Sequence, residues 1–254
     1  MERFYPVAEG QSGEPLLKLT NLSGITARNV SFAVHAGEVL GVTGLVGSGY
    51  DEIPYLVGGI IKASGGSVYL DDKLINGFGI RQLLDLGISI VPGNRQRDSA
   101  WMEGSARENI SLLKLRSFFR WPSLRRRAET KEAAVLMNRW AVRPHVLERP
   151  FSLFSGGNQQ KIVLAKWLST ANRIMLLDEP TQGVDAGARR EILDQIAKLA
   201  HAGNAVAIFS ADTEQLSEMC DRVVIMVNGR VHTVLSGSEI NEPRVIALTQ
   251  STDE

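Results

Sequence analysis

From Leu16 onward, apolar and polar positions alternate in short bursts: Leu16–Leu22 (LLKLTNL), Asn29–Val34 (NVSFAV) and Glu38–Leu45 (EVLGVTGL). Alternation with a period of two over four to eight residues marks half-buried strands. Gly37 supplies the turn before the third of them. Ser64–Ile75 (SGGSVYLDDKLI) reads as one more strand, with Gly65 and Gly66 at its mouth. A helical stretch then ends at Gly87, and a fully apolar strand runs from Ile88 to Val91.

The pattern changes between residues 104 and 150, which are helical, rich in Arg and aromatics, and broken by Pro122, Pro144 and Pro150. A helix over 156–169 (GGNQQKIVLAKWLS) leads to a buried strand, Arg173–Leu177. Helix 187–201, strand 205–209, helix 212–219 and strand 222–227 follow. Strands alternating with helices of ten to fifteen residues predict a parallel sheet in an α/β domain. The helical insert splits that sheet region in two. Residues 1–15 have no period and carry Gly, Pro, Gln and Ser, so they read as a linker.

Composition narrows the function classes. Lys and Arg number 28, and so do Asp and Glu, a balance that argues against a dedicated nucleic-acid binder. The single cysteine, Cys220, excludes a disulfide framework or a Cys-rich metal site. His35, His145, His201 and His232 are too scattered for a ligand cluster. No apolar run reaches the ~18 residues of a membrane span, and the start does not resemble a signal peptide. The expectation is a soluble, cytoplasmic-type domain whose membrane contacts run through a partner.

Three stretches carry chemistry. Gly44, Gly47, Ser48, Gly49, Tyr50 and Asp51 lie in a turn between a strand and a helical stretch. Gly44 and Gly49 have the glycine spacing of a phosphate-binding loop, where small residues bring backbone N–H groups to phosphate. By itself the stretch also fits a tight strand–helix turn. Asp178 and Glu179 end an apolar strand, where α/β folds place ligand chemistry. There an Asp can hold Mg²⁺ and a Glu can orient a water. Ser155, Gly156, Gly157 and Asn158 open a helix whose free N–H groups and positive dipole end suit an anion.

In this order, GxxGxG, VPGNRQRD (91–98), FSGGNQQK (154–161) and LLDEPTQGVD (176–185) resemble an ABC-type ATPase domain. The resemblance runs from about Leu16 to Val234, and the SGGNQQK variant is similar to the sugar-importer branch. It implies a P-loop NTPase (RecA-like) core with an antiparallel β-subdomain. It also implies a helical ABC-signature subdomain over about 94–150, with the signature helix from 155, all within one nucleotide-binding domain, 16–254. ATP and Mg²⁺ are the implied cofactors. Asp178 is the implied Mg²⁺ ligand, Glu179 the catalytic base, and Asp185 the residue of the loop that couples two nucleotide sites. Ser155, Gly156, Gly157 and Asn158 would complete an ATP site on a partner domain. The closest likeness is to the second half of a tandem ATPase for ribose-, xylose- or galactose-like import, so residues 1–15 are expected to be the segment joining two halves. The implied partners are an N-terminal nucleotide-binding domain of the same or a sister chain, permease subunits and, indirectly, a periplasmic or extracellular sugar-binding protein, with no nucleic acid. The implied place is the cytoplasmic face of the cell membrane.

The departures are concentrated at the phosphate end. The loop lysine is Tyr50 and the Mg²⁺-binding hydroxyl is Asp51. The glutamine after strand 88–91 is Gly93, and the switch histidine after strand 205–209 is Ala211. No aromatic stands at 24–28 to stack a base, and Pro54 falls early in the post-loop helix, where its ring is disfavoured. A unit-charge pair at ~4 Å is worth about 4 kcal/mol at an effective dielectric of 20, so trading the lysine for an added carboxylate costs several such terms. The expected function is therefore an importer ATPase domain with a degenerate loop of its own and a sound signature for its partner. The alternatives are a non-catalytic scaffold domain and a soluble ABC ATPase not tied to transport. Residues 112–127, with five arginines among Phe118, Phe119 and Trp121, read as a solvated loop of the helical subdomain, the alternative being a nucleic-acid or membrane-surface patch. Trp140, Trp167 and Cys220 read as core.

Overall fold

In a computed structural model, residues 15–169 and 172–251 are described; the expected linker, 1–15, lies outside them except for its last residue. The elements in chain order begin with β1 (Pro15–Ser23), β2 (Val30–His35), β3 (Val39–Gly44), α1 (Ile53–Val57), β4 (Gly65–Leu70), β5 (Lys73–Leu74), α2 (Ile80–Asp85) and β6 (Ile88–Val91). Next come α3 (Ala106–Ser111), α4 (Leu115–Phe118), β7 (Phe119–Arg120), β8 (Ser123–Leu124), α5 (Arg126–Arg139) and α6 (Gly156–Trp167). The last are β9 (Ile174–Asp178), α7 (Ala186–His201), β10 (Ala205–Phe209), α8 (Thr213–Met219), β11 (Arg222–Val227), β12 (Arg230–Ser236) and α9 (Glu242–Thr249). They form two compact units.

Among the described residues, the first unit holds 15–90, 173–179 and 196–251. Its six-stranded sheet has the order β12-β11-β3-β10-β9-β6. β3 pairs parallel with both β10 and β11, β10 pairs parallel with β9, and β12 pairs antiparallel with β11. β3, β9 and β10 are buried at every position, as strands covered on both faces must be. A four-stranded antiparallel sheet, β2-β1-β4-β5, completes the unit. Leu17, Leu19, Val34, Leu40, Val42 and Phe209 belong to one core cluster. The expected single strand 64–75 is instead a hairpin: Asp71 and Asp72 both take left-handed backbone, φ 45° and 60°, and turn the chain.

Glu52 ties the β1–β2 connection to the end of the 44–52 loop. Its carboxylate accepts N–H bonds from Ile25 (2.6 Å), Thr26 (2.9 Å) and Ala27 (3.0 Å). Burial works against the charge, but these three donors outweigh it and hold the carboxyl below its ordinary range.

The second unit holds residues 91–169, 172 and 180–195. Its centre is ionic as well as apolar. Arg107, 2% exposed, bridges Glu129 (2.7 Å) and Glu148 (2.7 Å), and Ser111 donates a further bond to Glu129. α3 is closed by a capping box in which Ser105 and Glu108 satisfy each other's backbone N–H groups. Trp140, Trp167 and, in the first unit, Cys220 are buried as expected.

Candidate functional site

The two halves of the candidate site lie in different units. In the first, β3 delivers the chain to the 44–52 loop. A Cβ on Gly44 would lie 2.2 Å from Ser48 Oγ and 2.4 Å from the Met226 carbonyl, so only glycine fits there. Gly49 has φ 83°, and a Cβ on it would meet the Ala27 backbone at 2.9 Å. The loop passes into a short 3₁₀ turn, Tyr50–Glu52, and then α1. Pro54 sits in the first turn of α1, where its missing N–H has no helical partner to lose; the expected strain is absent.

Tyr50, at the lysine position, is 6% exposed and belongs to the core cluster. Its phenol is hydrogen-bonded to Glu179. Burial, followed by the charges of Glu179, Asp51 and Asp178, pushes its ionisation far above the ordinary tyrosine range. Glu179 itself has φ 42°, a strained conformation for a residue with a side chain. Its carboxylate accepts bonds from the Ser210 hydroxyl (2.8 Å) and the Ala211 N–H (2.7 Å). Asp178 closes β9 and accepts from the Tyr55 hydroxyl at 2.7 Å. Ser210 and Tyr55 escaped the sequence reading. Ser210 had a weak signal, since it follows an apolar strand directly, and Tyr55 had none.

This loop does not fit a triphosphate. No Lys or Arg occurs from Gly44 to Ile61, and three carboxylates act on the phenol that stands in the lysine's place. The hydroxyls of Thr43 and Ser48 are buried without partners. No group of three His, Cys, Asp or Glu side chains placed to hold a metal ion is found among the described residues.

In the second unit, Ser155 takes the N-cap position of α6, but its side chain caps no backbone N–H. Its oxygen instead accepts from Asn158 Nδ2 (2.9 Å), and Asn158 Oδ1 accepts from the Arg143 N–H (2.6 Å). Asn158 is therefore engaged within the chain at both ends of its amide. Gly156 faces Arg95 Nη2 and the Gly183 carbonyl, each 2.9 Å from a Cβ built there. Arg95 donates to the carbonyls of Gln182 (2.7 Å) and Gly183 (3.4 Å), and burial alone shifts its guanidinium downward. Its Nε is buried without a partner. Asp185 accepts the Ala188 N–H at 2.9 Å and opens α7; that bond, foremost, holds its carboxyl low. A guanidinium that meets only carbonyls, beside uncapped helix amides, fits an anion.

The ABC transporter family model matches residues 27–182. The chain belongs to the ABC transporter family. Among curated relatives of this ABC chain, the ribose/galactose/methyl galactoside import ATP-binding protein 1 of Rhizobium meliloti is 37% identical over 258 residues, covering 100% of this chain and 52% of that protein. The ribose import ATP-binding protein RbsA of Streptococcus agalactiae is 33% identical over 248 residues, covering 98% and 50%. The ABC chain thus spans about half the length of the curated relatives it matches. In fold it is similar to the ATP-binding cassette MJ1267 of an ABC transporter, with a TM-score of 0.81 at 21% identity over 94% of this chain and 100% of that one. The dimeric cassette MJ0796 bound to ADP and Pi gives 0.75 at 22% identity over 87% and 98%. The fold class is that of P-loop ABC cassettes.

Proposed function

We propose that the chain is a nucleotide-binding domain of an ABC importer for a small carbohydrate, working beside a second such domain whose ATP its signature completes. The observation that carries this reading is the contrast between the two units. Tyr50 is bonded to Glu179 within a lysine-free loop, while Ser155, Gly156 and Arg95 present an anion-compatible helix start. In this assignment Ser155, Gly156 and Gly157 form the signature, Asn158 positions it through Arg143, and Asp185 shapes the loop that couples the two nucleotide sites. Gly44, Gly47, Ser48, Gly49, Tyr50 and Asp51 form the degenerate loop, and Glu179 and Asp178 keep their places without their usual surroundings. The domain organisation is one nucleotide-binding domain over 16–254, with its helical part at about 94–150.

ATP and Mg²⁺ belong to the partner's site and supply the phosphoryl chemistry there; this chain contributes donors from α6. The partners are the second nucleotide-binding domain, permease subunits and, through them, a sugar-binding protein. The place is the cytoplasmic membrane face. The relatives' roles in ribose and galactoside import support the carbohydrate assignment. The test is co-expression with candidate permease subunits and a second nucleotide-binding domain of a sugar importer from the same organism. Co-purification and sugar-stimulated ATPase are expected. A chain that purifies with neither, or with RNA instead, overturns the assignment.

A further inference from the structure

The most basic stretch of the chain plays no part in the sites above. From Leu112 to Ala128 there is no acidic residue, and Arg116, Arg120, Arg125, Arg126 and Arg127 are all exposed. Glu129 and Glu132, the nearest acids in sequence, are already paired, with Arg107 and Lys114. Arg126 lies in the field of Glu108 and Glu148, whereas Arg116, Arg120, Arg125 and Arg127 make no ion pair among the described residues; the chain has zero formal net charge, so the remainder is correspondingly acidic. Apolar surface is exposed in the same place. Trp121 is 85% exposed and Phe119 52%, packed edge-to-face at 6.4 Å and 63° on the β7–β8 hairpin. The hairpin is anchored at its base: Phe118 is buried, and its carbonyl accepts the Arg125 N–H at 2.8 Å. Two large exposed aromatics held on a fixed support, beside a cluster of mostly unpaired arginines, are costly to leave in water and call for an occupant.

We infer that this hairpin docks on anionic phospholipid, with Trp121 and Phe119 at the headgroup level and the arginines on lipid phosphates. Trp combines an apolar body with a polar N–H, the combination that favours membrane interfaces. Clustered basic residues add attraction to anionic leaflets. The rings, inclined at 63° to each other, present no parallel faces for stacking successive bases, which disfavours single-stranded nucleic acid. The inference rests on the importer reading only in that an importer subunit works at a membrane. It makes a contact with lipid that is separate from any contact with a permease.

The test is flotation of the whole purified chain with phosphatidylcholine vesicles, with and without 30% phosphatidylglycerol, at low and high salt. Binding is expected only to the anionic vesicles, with release at 0.5 M NaCl. Arg125→Ser, Arg126→Ser and Arg127→Ser together should weaken partitioning ~100-fold. Trp121→Ser should also weaken it, and the blue shift of tryptophan emission on binding should vanish in Trp121→Phe. All these positions are exposed, and unchanged thermal unfolding will show that the variants fold. No binding to anionic vesicles, or binding indifferent to both variants, overturns the inference, as does RNA or permease binding lost in these variants while vesicle binding is unaltered. The importer reading is judged separately, by permease co-purification with the hairpin intact.

Discussion

Tyr50 and Glu179 are joined by a hydrogen bond, so the residue at the lysine position holds the residue at the base position. A positive side chain there would attract phosphate; the phenol instead occupies a carboxylate. The wild-type chain should bind MgATP too weakly for calorimetry at micromolar protein. Tyr50→Lys with Asp51→Ser should raise affinity at least tenfold, while turnover stays low because Gly93 and Ala211 are unchanged. Full turnover without a gain in affinity would show these roles to be misassigned.

The isolated chain should hydrolyse ATP at well under 1 s⁻¹, against the order of 10 s⁻¹ typical of enzymes. Glu179→Gln should change that residual rate less than twofold, because the carboxylate is already committed to Tyr50, Ser210 and Ala211. A steady-state assay decides. Fast turnover abolished by the substitution would restore Glu179 as a working base.

Gly156 has no room for a side chain beside Arg95 Nη2 and the Gly183 carbonyl. Gly156→Asp should displace Arg95 and place a negative charge at the start of α6. ATPase of the complete assembly should fall tenfold or more. Nucleotide affinity of the isolated chain, measured in parallel, should stay as it was.

Arg107 neutralises Glu129, which is 1% exposed. Arg107→Ala strands that charge, and removing one partner of a buried pair costs about 3–5 kcal/mol. Urea unfolding followed by circular dichroism should show a midpoint well below wild type.

Lys166 is buried, donates to the Ser99 carbonyl and lies 5.5 Å from the Trp167 ring centre. Burial pushes its ammonium down from 10.5 to about 8. Between those values the unfolded chain keeps a proton that the folded chain has lost, so stability from this group rises with pH across that window. Below pH 8 the full penalty applies, on the order of 3 kcal/mol. Lys166→Met should remove that rise in a series of unfolding curves from pH 7.5 to 10.5, relative to wild type.

The strands at the centre of the first unit were legible because they are continuous apolar runs: the expected bounds of 205–209 and 222–227 match β10 and β11. The chain's 173–177 strand is shifted by one residue, which makes Asp178 the last residue of β9. The hairpin at Asp71–Asp72 was missed because two aspartates in left-handed backbone replace the glycine that normally announces such a turn. β12 and α9 were not anticipated; β12 is partly exposed along its length and so lacks a long apolar run. The loss of lysine at position 50 was plain in the sequence. That the replacing tyrosine bonds Glu179 was not, because it depends on two segments 129 residues apart meeting at one point.

Glu52's hold on the amides of Ile25, Thr26 and Ala27 changes what the loop glycines are for. Gly49 packs on the same segment, and Gly44 packs under Ser48. The loop has become a joint between two sheets, and its glycines are required by that joint with or without a nucleotide. Architecture alone is enough to retain them, so in chains of this kind the gauge of a live phosphate site is the cation, not the glycine spacing.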